Sequence, residues 1–76
     1  KVEFLILDLT KSNIYKKYKN SYSLKITELG RALSILRKSN CKNIIFAGKG
    51  ARIFDWLKAN NPQKKIIGRD RNFTIP

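Results

Sequence analysis

Two short apolar runs limit what this chain can become. Phe4 to Leu7, extended by Leu9, is nearly continuous, and so is Ile44 to Ala47. Neither alternates apolar with polar. A strand with one wet face would alternate, so an uninterrupted run fits a strand covered on both faces, as in a parallel sheet flanked by helices. Between them, Leu29, Ala32, Leu33 and Leu36 recur at i, i+3, i+4 and i+7, which is one core-facing stripe of a helix. Strand, helix and strand then make a parallel βαβ unit with a right-handed crossover. The expected elements are a strand near 2–9, a helix near 28–39, a strand near 43–47 and a short helix near 52–60. The fold class is α/β, a Rossmann-like fragment.

Local chemistry sharpens the helix. Thr27 is placed to cap it, Glu28 to meet the positive end of its dipole, and Arg37 and Lys38 to meet the negative end. Asn40 suits a left-handed terminator. Gly30, in the first turn, costs about 0.5–1 kcal/mol relative to alanine; close approach of something to the backbone would account for it, and so would relief of crowding against the sheet. The later helix carries Ile53, Phe54, Trp56 and Leu57 and should stop at Asn60-Asn61-Pro62, because the residue before proline avoids helical angles. Beyond it, Ile66-Ile67 and Phe73-Thr74-Ile75 read as short strands, with a charged turn from Gly68 to Asn72 between them.

At 76 residues the chain holds one small domain at most. It opens inside a strand candidate without an initiator methionine. It therefore reads as a single partial domain over 1–76, with the tail 62–76 the least defined part; that the larger protein has two domains is what the resemblance given below implies. No signal-peptide pattern and no apolar run of membrane-spanning length is present. The single cysteine, Cys41, excludes an internal disulfide, and with no histidine a zinc site has almost no ligands. A reducing cytoplasmic compartment fits that usage.

Seventeen Lys+Arg against five Asp+Glu leave a net charge of +12, which favours polyanionic partners. A/T-rich coding bias toward Lys, Asn and Ile is the competing explanation. The stretch 11–26 interleaves Tyr15, Tyr18 and Tyr22 with Lys11, Lys16, Lys17, Lys19 and Lys25. Were it helical, the rings would share a face and could stack bases while lysines held phosphates. The alternative is a solvated connection whose rings pack on the sheet edge. No nucleic-acid-binding module signature accompanies the rings.

The turn "GKGAR" carries the main functional signal. Gly48 falls at the carboxyl end of a parallel strand and just before a helix, where α/β sheets bind ligands. Glycines permit positive φ and close backbone approach, and free amides at a helix start attract anions. Lys49 and Arg52 add charge, and the guanidinium fork suits two phosphate oxygens. Candidate ligand-binding residues are Gly48, Lys49, Gly50, Arg52 and Gly30, for a phosphorylated small molecule. The pattern is neither a P-loop nor a dinucleotide fingerprint, and an ordinary tight turn with exposed basic residues explains it too.

No catalytic set is visible. Glu3, Asp8, Glu28, Asp55 and Asp70 are scattered, without the spacing of a metal pair. Asp8, at a strand end, is the one carboxylate that could do acid–base work; its plainer reading is a strand-end residue meeting water.

The stretch from Ser23 to Lys49 resembles the N-terminal domain of the LpxI-type UDP-2,3-diacylglucosamine pyrophosphatases. The matching residues are Leu29-Gly30-Arg31, Ile35-Leu36-Arg37-Lys38, and Ala47-Gly48-Lys49 with Arg52, and "FLILDLT" falls where that family's second strand would lie. The similarity spans roughly Val2 to Arg52. The family's first strand and glycine-rich loop have no counterpart, Gly50 stands in place of its valine, and Ile53 in place of its proline. The resemblance implies the substrate-binding part of a Mg²⁺-dependent hydrolase at the cytoplasmic face of the inner membrane, splitting a UDP-linked lipid to UMP and a diacylglucosamine phosphate. It also implies that the catalytic residues belong to another domain and that this part is inactive alone. Peripheral membrane association would follow. The segment "IIFAGKGARIFDWL" is similar as well to the adenosine-side motif of actin-like and Hsp70-like ATPases, which accounts better for Gly50, Ala51 and Ile53.

Overall fold

The computed structural model describes residues 3–12, 14–48 and 51–69. Four strands form one all-parallel sheet: β1 (Phe4–Asp8), β2 (Ser21–Ser23), β3 (Asn43–Ala47) and β4 (Lys65–Arg69), in the order β2-β1-β3-β4. Two ten-residue helices, α1 (Leu29–Lys38) and α2 (Ala51–Asn60), complete a small Rossmann-like α/β domain. The two apolar runs become its two central strands, paired in register from Phe4 with Asn43 to Asp8 with Ala47.

Chain direction along the sheet decides which face each connection covers. β2 to β3 through α1 and β3 to β4 through α2 both advance toward the β4 edge, whereas β1 to β2 steps back. Crossovers of one hand must then put both helices on one face and the β1–β2 connection on the other. Packing agrees. Leu5, Leu7, Ile44, Phe46 and Ile66 lie against Ala32 and Leu36 of α1 and Leu57 of α2. On the opposite face, Ile6, Ile45 and Ala47 are covered by Tyr15, with Phe4 and Tyr18 packed alongside. Coverage on both sides is why these strands do not alternate.

Several expectations change. The βαβ unit is not β1–helix–β3: the short strand β2 intervenes, and α1 links β2 to β3 across β1. Residues 14–20 form turns rather than a helix, so the three tyrosines share no helical face; Tyr15 is buried, Tyr18 half-buried and Tyr22 exposed in β2. Ile26–Glu28 form a 3-10 turn ahead of α1, which places Thr27 inside the turn rather than at a cap. Glu28 closes that turn by accepting the Lys25 N–H at 2.8 Å. At the other end the C-cap is Ser39 in an extended conformation, its N–H donated to Ile35 O, so Asn40 is not a left-handed terminator.

Ile66 and Ile67 belong to a five-residue edge strand, not a two-residue one, and Gly68 lies within it. Gly68 has a packing reason. A Cβ there would sit 3.1 Å from the Phe54 ring, which lies over the sheet with its centroid 6.2 Å from that of Phe46. The expected strand at Phe73–Ile75 lies outside the described residues.

Candidate functional site

The reversal of direction makes a topological switch point between β1 and β3, the place where open α/β sheets form a ligand crevice. β1 sends its chain to one face and the neighbouring β3 sends its chain to the other. Open α/β sheets bind ligands at such a switch point. Asp8 and Ala47 are the last paired residues of the two strands, and one further bond, Leu9 N–H to Ala47 O at 2.8 Å, closes the ladder.

On the β3 side stands Gly48, with φ of 153°. That angle lies where L side chains rarely go, and an added Cβ would come within 3.2 Å of Leu9 Cβ. The expected positive φ is therefore present, and the close neighbour is the exit of β1. α2 begins at Ala51, three residues past Gly48. Arg52, in its first turn, is exposed. Lys49 and Gly50, also expected at the site, lie outside the described residues. Gly30 is exposed in the first turn of α1, and a Cβ there would meet nothing within 4 Å; neither close approach nor crowding explains it.

On the β1 side stands Asp8, and here the water-facing reading is overturned. The residue is 1% exposed. Its Oδ1 accepts two hydrogen bonds from Thr10, one from the backbone N–H at 2.9 Å and one from Oγ1 at 2.6 Å. Thr10 Oγ1 in turn accepts the Ser12 N–H at 3.1 Å, and Ser12 Oγ accepts the Ile14 N–H at 3.3 Å. This relay of short polar side chains onto nearby amides shapes the exit of β1 in place of regular structure. Within it Lys11 takes a φ of 63°, the one positive value at a non-glycine position among the described residues. Asp8 Oδ2 is left buried without a hydrogen-bond partner, again the one such side-chain atom among the described residues.

Thr10 and Ser12 were not singled out in the sequence. The signal was a hydroxyl residue two positions after the strand aspartate, followed by another two positions on. That spacing suits side-chain-to-backbone turns.

At the opposite end of the sheet lies an open groove of about 790 Å³, lined by Arg37, Asn40, Lys42, Asn60, Asn61 and Gln63 among others. Both helices point their carboxyl ends there, a poor place for an anion. Lys64 also lines it, but its ammonium is engaged by Ser39 O at 2.9 Å and Cys41 O at 2.8 Å, tying the loop before β3 to the start of β4.

The sheet and its two helices define a parallel α/β domain of Rossmann-like topology with a switch point between β1 and β3. No protein-family model matches the chain, and no curated protein or solved structure matches it either.

Proposed function

We propose that the chain is a binding module for a phosphorylated small molecule, seated where β1 and β3 end. The observation that carries this reading is the divergence of the two neighbouring connections to opposite faces. It makes a switch point bordered by Gly48 and the start of α2. Anions are attracted to the amino end of a helix through its free amides and dipole. Arg52 adds a full charge in that first turn, and a net charge of +12 draws anions toward the whole surface.

The resemblance through Leu29-Gly30-Arg31 and Ala47-Gly48-Lys49 makes UDP and UDP-linked lipids the first ligands to try. On that reading the module contributes substrate binding to a pyrophosphate hydrolase, and the chemistry falls to residues elsewhere. Among the described residues no group of three or more His, Cys, Asp or Glu could cage a metal, and no helix is long and apolar enough to cross a membrane. The Mg²⁺ that the resemblance implies would therefore come with phosphate oxygens, and Asp8 is the one carboxylate at this edge among the described residues.

Calorimetric titration with UDP, ADP and inorganic pyrophosphate tests the reading. Saturable binding is expected, weakened about ten-fold or more by Arg52→Ala, the loss typical of one charge-assisted hydrogen bond. Binding of a random oligonucleotide with equal strength in wild type and variant, and none of the three phosphate ligands, would show that the positive charge serves another partner.

A further inference from the structure

A buried carboxylate oxygen without a partner is costly, because burial strips its water and nothing replaces it. Asp8 Oδ2 is in that position, while Oδ1 is held by both donors of Thr10. The Thr10 bonds fix how the carboxylate is turned, and they leave one oxygen uncommitted at the end of β1, one strand from Gly48. A bare phosphate beside that oxygen would be repelled. A cation between them would bind both.

We propose that Asp8 Oδ2 is the protein's ligand for a divalent cation shared with the phosphorylated molecule. This rests on the binding reading above and deepens it. Mg²⁺ takes hard oxygen ligands, keeps several of its waters, and is commonly held by one or two carboxylates together with phosphate oxygens rather than by an all-protein cage. A lone carboxylate at a phosphate site matches that mode, and the absence of a ligand cluster among the described residues excludes the cage from them. Oδ2 is closed off from solvent, so the ion has to displace part of its cover on entering. Cation binding is therefore weak without phosphate and strengthened by it, and the reverse holds equally, since coupling between two ligands is reciprocal.

The test uses the full chain, with inorganic pyrophosphate and UDP as probes, in excess Mg²⁺ or in EDTA. Wild type should bind at least one probe about ten-fold tighter with Mg²⁺, within the usual range for coupled ligands. Asp8→Asn, which keeps the shape and removes the charge, should lose that increment and retain the binding measured in EDTA. Substituting Mn²⁺ on the wild type gives a readout that needs no variant. Paramagnetic broadening of amides at residues 8–10 and 47–48 should appear only when pyrophosphate is present. Equal affinity in Mg²⁺ and EDTA overturns the cation while leaving the phosphate site standing. An Asp8→Asn chain that keeps the Mg²⁺ increment, or that loses affinity equally in EDTA, overturns it too, the latter by showing a direct hydrogen bond to the ligand. Absence of binding by either probe under every condition removes the phosphate site itself.

Discussion

Asp8 and Ala47 face each other as the last register pair of β1 and β3, and from that pair the chain departs to opposite sides of the sheet. The switch point, the buried carboxylate and the glycine turn all lie at this pair. It also yields tests of the fold that need no ligand.

Gly48 is held by geometry on two counts, its φ of 153° and the nearby Leu9 Cβ. Gly48→Ala should destabilise the domain by about 1–3 kcal/mol, the usual cost of forcing a side chain into such a conformation. Urea denaturation measures it. A stability within error of wild type would mean that the turn relaxes freely and is not a fixed border of the switch point.

Gly68 meets the Phe54 ring from beneath. Gly68→Val should therefore cost about 1–3 kcal/mol through overpacking. Combined with Phe54→Leu, part of that loss should return, giving a coupling energy of about 0.5 kcal/mol or more in a double-mutant cycle. Simple additivity would show that α2 does not rest on β4 at this point.

Leu36 is fully buried between α1 and the helix-covered face of the sheet. Truncation to alanine should cost about 2–5 kcal/mol, the range for a core leucine. For a domain this small that is a large share of its stability. A chain that melts only a degree or two lower would contradict the packing of α1 across β1.

The carboxyl of Glu28 titrates below its usual range. The largest cause is the Lys25 backbone N–H that it accepts, and the Arg31 guanidinium 3.5 Å away adds to the effect against some desolvation. A depressed folded-state pKa stabilises the fold above the ordinary glutamate range, and the contribution disappears as pH falls through the folded value. Glu28→Gln should lower the melting temperature at pH 7 and leave it close to wild type at pH 3. An equal gap at both pH values would mean that the charge of Glu28 contributes nothing.

The legible part of the fold was what burial writes into a sequence. Ile44 to Ala47 and the Leu29–Leu36 stripe announce themselves because both faces of a central strand and one face of a helix must be apolar. β2 was invisible for the converse reason. Ser21–Ser23 is a three-residue edge strand, half-buried to exposed, held by backbone bonds such as Ile6 N–H to Asn20 O, and backbone bonding leaves no apolar pattern. Missing β2 also hid the step back along the sheet, which is what creates the switch point. The glycine turn was found from its residue types. Asp8 is named in the sequence but reads there as water-facing, because a single carboxylate at a strand end carries no sign of the burial the fold gives it. Thr10 and Ser12 gave only spacing.

Backbone amide NMR of the isotope-labelled chain, titrated with inorganic pyrophosphate in Mg²⁺, tests the central claim most directly. Saturating shifts confined to residues 8–10 and 48–52 are predicted, at the two strand exits and the start of α2. Shifts centred instead on the tyrosine turns at 15–22 or on the groove at Arg37 and Lys42, or no shifts at all, would contradict it.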